Sequence, residues 1–288
     1  MNETLPADTG MGAVTLRVAN LDVMTAFYRD AVGLTTIAEL SNSVSLGRTT
    51  GAVVILEHAP ELVHASPSDA GLFHTAILFD TEEALAAAVY SVTQRHPNSF
   101  TGSADHLVSK AFYFTDPEGN GLELYWDRDR SAWSWTDGSV AMSTLYLDPS
   151  PFLQEHLSES ALSGPVIGDA KVGHVHLQVG DVEAAREFYV NTLGFRTTVE
   201  LPRSALFVSA GGYHHHMAMN VWNSRGAGRR KNTLGLGRIE IGVGEADDLG
   251  ALVERMNHHR VQLRDDGKTV GFNDPWANQL RVTVEPKG

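Results

Sequence analysis

Glu123 sits awkwardly in its surroundings. It falls between Leu122 and Leu124 in DPEGNGLELYW (Asp116–Trp126), a tight turn running into a short apolar strand. A carboxylate taken out of water is costly unless a cation or a hydrogen-bond donor meets it. A similar stretch near the C-terminus, DPWANQLRVTV (Asp274–Val284), places Arg281 at the matching position. One copy of the strand carries an acid and the other a base. The chain has no cysteine but thirteen histidines, so any metal must be held by His, Asp or Glu. Several histidines fall in strand-like runs. In GHVHLQV, Val175, Leu177 and Val179 share one face and leave His174, His176 and Gln178 on the other. His74 opposes Thr75, Ile77 and Phe79 in the same way, and His214 and His216 share one face of another expected strand.

The elements that position these residues recur along the chain. GAVTLRVANLDVMTAFYRDAVGL (Gly12–Leu34) aligns without gaps on GHVHLQVGDVEAAREFYVNTLGF (Gly173–Phe195). Each reads as a strand of period two, a short loop and an amphipathic helix ending in glycine. Asp22 and Asp181 suit an N-cap or first helical turn, Phe27 and Phe188 the apolar helix face, and Gly33 and Gly194 the position after the helix. Weaker copies begin at Leu72, with Thr81 as the cap, and at Gly237, with Leu249, Leu252, Val253 and Met256 on one helix face. Short strand-like segments follow each helix, which gives four βαβββ units and an α+β fold. Residues 127–170 lack clear periodicity; WDRDRSAWSWTDG reads as a loop and LDPSPFLQEHL as a short helix opened by proline. The expected organisation is a first domain at 11–126, a linker at 127–170 and a second domain at 171–285, each domain holding two units.

Composition narrows the function. A net charge of −13 argues against a nucleic-acid partner, and RGAGRRK (Arg225–Lys231) reads as a solvated loop. No apolar run is long enough to span a bilayer, and the first residues lack a signal peptide's basic and apolar regions, so a cytoplasmic protein with no membrane partner is expected. The sequence leaves room for a homo-oligomer.

The repeat pattern resembles the vicinal oxygen chelate superfamily, which includes glyoxalase I, fosfomycin- and bleomycin-resistance proteins and extradiol ring-cleaving dioxygenases. SADHLVSKAFYFTDPEGNGLELYWDR and VSAGGYHHHMAMNVWN resemble its bacterial two-domain catechol-2,3-dioxygenase-like group. The resemblance implies two half-open barrel domains, with a divalent metal held by residues of first and last strands. The first-strand positions are Ala13, His74, His174 and Arg238, and the last-strand positions are Glu123 in unit two and Arg281 in unit four. If unit two pairs with three and one with four, His74, Glu123 and His174 fall in one barrel, a His2Glu set suited to Fe(II), or to Mn(II) or another divalent ion. If one pairs with two and three with four, a site of His174, His176, His214, His216 and Glu240 is the alternative. For the histidine run at 214–216 an exposed strand end also stays open.

The resemblance further implies an extradiol dioxygenase of aromatic catabolism, with a catechol-type substrate and O2 as small-molecule partners. His106, or one of His176, His214 and His216, would then act as an acid–base group and Tyr113 would bond the substrate oxygen. Lys110 stands where related sequences more often carry Glu. A glyoxalase-type lyase or isomerase is the rival enzyme; it needs a second acid, for which Glu57 is the candidate in unit one, while MAMNVW of unit three has none. A metal-free binding or resistance protein would instead hold an aromatic ligand among Trp126, Trp133, Trp135 and Trp222, and would have no need of Glu123.

Overall fold

The computed structural model describes residues 4–162, 164, 166 and 168–284. The expected linker and second domain include residues 163, 165, 167 and 285, which lie outside the described residues. Each expected unit forms. The first comprises β1 (Gly10–Val18), α1 (Leu21–Ala26), β2 (Thr35–Leu40), β3 (Ser43–Arg48) and β4 (Gly51–His58). The second comprises β5 (Gly71–Phe79), α2 (Glu82–Arg95), β6 (Phe100–Asp105), β7 (Ser109–Thr115) and β8 (Gly121–Asp127). The connecting stretch holds a small ribbon, β9 (Trp135–Thr136) with β10 (Ser139–Val140), then β11 (Leu145–Tyr146) and α3 (Pro149–His156). The third unit is β12 (Ala170–Gln178), α4 (Val182–Arg186), β13 (Arg196–Leu201), β14 (Ala205–Ser209) and β15 (Met217–Asn220). The fourth is β16 (Gly235–Val243), α5 (Ala246–His258), β17 (Arg264–Asp265), β18 (Thr269–Asn273) and β19 (Gln279–Val284).

Local chemistry sets the helix ends. Thr81 and Asp181 cap α2 and α4 by accepting from the amides of Ala84 and Ala184. At α1 the cap is Asn20, which accepts from the Val23 amide, and Asp22 is the first-turn acid. Helices α1 and α4 both widen at their ends: the Val32 amide bonds the Phe27 carbonyl and the Leu193 amide bonds the Phe188 carbonyl, five residues back in each case. Gly33 and Gly194 follow with φ of +87° and +96°, which a side chain would strain. In the connecting stretch, α3 starts as the proline suggests, capped by Asp148.

Strand order settles which units share a sheet. The nine-stranded sheet runs β11-β6-β7-β8-β5-β12-β15-β14-β13 and joins units two and three. The eight-stranded sheet runs β17-β18-β19-β16-β1-β4-β3-β2 and joins units four and one. Among the described residues, the edge strands of each large sheet are not bonded to one another, so both sheets stay open. In units two, three and four the first strand pairs in parallel with the last.

Contacts divide the chain into two compact units. One holds Met1–Thr15, Leu62–Phe73 and Gly173–Gly288; the other holds Leu16–Glu61 and His74–Val172. Strands β1, β5 and β12 each run through that division. Each unit has the same internal tie. Tyr28 donates to Asp116 at 3.1 Å in one, and Tyr189 donates to Asp274 at 3.0 Å in the other. These aspartates open the two DP turns and also accept backbone amides, from Glu118 and Asn120 in one turn and from Trp276 and Asn278 in the other.

Candidate metal centre

Register decides which side chains meet around Glu123. On β8 it stands opposite Tyr113 of β7, and beside Ala76 of β5. Directly paired residues share a sheet face, and so do residues two apart on one strand. His74, Ala76 and Leu78 therefore join Glu123, Tyr125, Tyr113 and Ala111 on one face. Ala76, Ala111 and Tyr125 form a buried cluster there, with Leu78 and Tyr113 packed against it. The two alanines keep this floor low beside the acid.

Glu123 is 2% exposed and His74 6%. The His74 Nε2 lies 2.9 Å from Glu123 Oε2. His174, on β12, is also buried. Its ring lies tilted against His215, 4.1 Å between centroids, and His215 Nδ1 lies 2.7 Å from the Nδ1 of His214. One ligand atom each from His74, Glu123 and His174 all lie within 4.8 Å of one another. The donors fit a divalent metal: two neutral imidazole nitrogens and one carboxylate suit Fe(II) or Mn(II) and leave coordination positions open.

Tyr113 and His106 form a relay next to this group. The Tyr113 hydroxyl lies 2.6 Å from His106 Nε2, and His106 Nδ1 lies 2.7 Å from the Ser143 carbonyl oxygen. A carbonyl only accepts, so Nδ1 carries a proton, and in the neutral ring Nε2 accepts from the phenol. Burial first, then the charge of Glu123, push the Tyr113 phenol well above its ordinary pKa. Tyr113 therefore stays protonated and able to donate.

The other histidines have defined partners. Asn220, fully buried, donates from Nδ2 to His176 Nε2 at 3.0 Å while its oxygen accepts the Trp222 amide. That fixes the His176 ring among Phe73, Phe207 and Trp222. His216 Nδ1 accepts from the Ala210 amide and lies 3.1 Å from the Ser209 hydroxyl. The run 214–216 precedes β15 rather than lying in it, and its residues are 0%, 5% and 7% exposed, so it is not an exposed strand end. Neighbours hold the backbone of this run: the Thr198 hydroxyl donates to the His214 carbonyl, and the Val175 amide to that of His216.

Lys110 faces away from this floor, since it pairs with Trp126 on the opposite face of β7 and β8. It binds Glu82 of α2 at 2.7 Å and lies over Phe152 of α3, so it anchors the connecting helix. Two contributors carried no sequence signal in the expected roles. Ser143 reaches His106 from the connecting stretch through its carbonyl, which any residue supplies. His215 was legible only as part of the histidine run.

Unit four holds different chemistry in the same register. Glu240 pairs with Arg281, as Ala76 pairs with Glu123. Arg281 Nη2 binds Glu240 Oε1 at 2.6 Å, and Arg238 Nε and Nη2 reach the same oxygen at 3.2 Å. Ala13 is buried and offers no ligand.

Residues 10–124 and 171–281 match the Glyoxalase/Bleomycin resistance protein/Dioxygenase superfamily. A Bacillus subtilis (strain 168) protein named catechol-2,3-dioxygenase is 33% identical over 273 residues, covering 93% of this chain and 94% of its own. Among solved structures, a candidate dioxygenase from Bacillus subtilis superposes with a TM-score of 0.66 at 13% identity, over 100% of this chain and 87% of that one. Glyoxalase I from Zea mays superposes with a TM-score of 0.57 at 14% identity, over 96% and 92%. At such identities the structures speak for the fold, while the family match and the Bacillus relative speak for descent. Among the described residues no helix is long and apolar enough to cross a membrane. The chain belongs to the glyoxalase, bleomycin resistance protein and dioxygenase superfamily, and its α+β fold of four βαβββ units in half-open barrels is the vicinal oxygen chelate fold.

Proposed function

We propose that this protein is a metal-dependent extradiol dioxygenase that opens the ring of a catechol-type diol with O2. The observation that carries the reading is the buried group of His74, Glu123 and His174. The 33% identical relative named catechol-2,3-dioxygenase supports it. In this reading the three side chains hold Fe(II), or Mn(II). The ion, when bound, supplies the open positions and the redox chemistry that bring a diol and O2 together.

The surrounding side chains do the rest. Glu123 supplies the negative charge that a dication requires in a site closed to water. Ala76, Ala111 and Tyr125, with Leu78 packed against them, give the buried apolar floor that keeps water from the group. Tyr113 donates its phenolic proton to a substrate oxygen, and His106 takes up and returns a proton at Nε2 while the Ser143 carbonyl holds its ring. His176, oriented by Asn220, stands ready as a second acid–base group. His216 is engaged by Ser209 and Ala210, and that engagement suits a supporting part better than a catalytic one. The glyoxalase-type alternative needs a second acid, and Glu57 stands on β4, in the other large sheet from His74, Glu123 and His174.

Metal-stripped protein reconstituted anaerobically with Fe(II), and separately with Mn(II), provides the test. Catechol should then drive prompt O2 uptake and a new visible absorbance from the ring-opened product, both absent in Glu123→Ala and His74→Ala. Stoichiometric metal without O2 uptake on several catechols would move the reading to a lyase or isomerase. A protein that takes up no metal would end it.

A further inference from the structure

Unit four contains a cavity of about 360 Å³ lined by Arg238, Arg264 and Arg281, with Thr269, Gly271 and Gln279. Register explains how three cations come to surround it. Arg264 of β17 pairs with Gly271 of β18, Gly271 with Arg281 of β19, and Arg281 with Glu240 of β16. The four form one cross-strand row on one face, and Arg238 lies two residues from Glu240 on that same face. Gly271 contributes no side chain to the row, which leaves open floor between the guanidinium groups of Arg264 and Arg281. A Cβ at Gly271 would lie 3.6 Å from Arg264 Nε, an ordinary contact, so space and not strain is what the glycine provides.

We propose that this cavity is an oxyanion site, taking a small carboxylate- or phosphate-bearing molecule. Glu240 offers a single oxygen to both Arg238 and Arg281, which leaves guanidinium N–H groups in excess. One of them, Arg281 Nε, is buried and has no hydrogen-bond partner among the described residues. A buried donor in that state favours an acceptor, and a guanidinium fork fits the two oxygens of a carboxylate or phosphate. Asp265 and Asp266 also line the cavity, and their charges oppose an anion. Both are turned into the bend between β17 and β18. Asp265 accepts from the Gly267 amide, and Asp266 from the Lys268 and Thr269 amides and the Thr269 hydroxyl. The site stands apart from the metal centre: it is on the eight-stranded sheet, whereas His74, Glu123 and His174 are on the nine-stranded one.

The test titrates metal-stripped full-length protein with succinate and with inorganic phosphate at constant ionic strength, by calorimetry, against chloride. Saturable binding of at least one is expected, and the two arms tell a carboxylate site from a phosphate site. Arg264→Ala should weaken binding roughly tenfold or more, as loss of a charge-assisted pair does. Gly271→Val, a residue suited to a strand, should block the floor and give a similar loss with the fold retained. Glu123→Ala, which disables the metal centre, should leave the affinity unchanged. Failure of both probes to bind the parent protein overturns the proposal. So does binding that survives Arg264→Ala and Gly271→Val, because the anion would then sit elsewhere.

Discussion

In unit two the last strand carries Glu123 beside Ala76, with His74 two residues earlier on the first strand; in unit four the same register carries Arg281 beside Glu240, with Arg238 two residues earlier. The backbone is shared down to the turn before each strand, where Asp116 and Asp274 make matching bonds to a helix tyrosine and to backbone amides. The difference lies in how each charge is answered. Unit four answers Arg281 from within, because Glu240 sits where unit two has alanine. Unit two has Ala76 at that position, and Glu123 is met by His74 and Tyr113. Unit four sets its carboxylate among arginines, while unit two sets its carboxylate beside a histidine and a phenol. The opposite charges of Glu123 and Arg281 thus mark a candidate metal centre and an internal salt bridge built on one scaffold.

Copying unit four's residue into unit two breaks the comparison hardest. Glu123→Arg would bury a guanidinium on a face where Ala76 offers no carboxylate. The expected loss of stability is on the order of 3–5 kcal/mol, as for a buried charge stripped of its partner. Urea unfolding measures it, and metal content should fall to background in the same protein. A variant as stable as the parent would mean that the face tolerates either charge, and the contrast between the units would lose its physical basis.

Much of this contrast was legible in the sequence. Period-two alternation places His74 and His174 on one face of their strands, and the repeat aligns Glu123 with Arg281. Thr81, Asp181, Gly33 and Gly194 mark helix ends because capping and left-handed backbone are local properties. What alternation alone could not supply is the answer to Arg281. Glu240 lies 41 residues away, and only the strand register brings the two together. The widened ends of α1 and α4 were equally hidden, since a bond from the fifth residue back leaves no mark on an amphipathic pattern. The histidine run at 214–216 reads as strand but precedes one, because its conformation follows from long-range bonds through Thr198 and Val175.

The shared DP turns give a smaller, pH-dependent effect. Burial raises Asp116 to about 6, against the opposing pull of its hydrogen bonds from Asn120, Tyr28 and Glu118. A carboxyl raised in the folded state contributes stability that is complete below its unfolded pKa of 3.8 and is lost as pH rises through about 6. Between pH 7 and pH 4 the parent should therefore gain roughly 2 kcal/mol relative to Asp116→Asn. Urea unfolding of both proteins across that range reads the difference, which cancels the titration of other acids. Asp274 is raised for the same first cause, so Asp274→Asn should shift in the same direction. A pH-independent difference in both would show that the turns do not hold a buried proton.

The smallest expected effect sharpens the comparison from unit four's side. Arg281→Gln leaves Glu240 with Arg238, whose Nε and Nη2 already reach its Oε1. The side chains of Arg281 and Arg238 are 37% and 27% exposed, so solvent screens much of what is lost. The expected destabilisation is about 1 kcal/mol, a fraction of that for Glu123→Arg, and metal stoichiometry should not change. Removing one of two cations from a carboxylate leaves a pair, whereas an unanswered cation in unit two leaves nothing to pair with. Equal costs at the two positions would contradict this account, because Glu240 would then not be the group that neutralises unit four. Urea unfolding at low and high salt separates the cases: the loss in Arg281→Gln should shrink with added salt, while that in Glu123→Arg, buried away from ions, should persist.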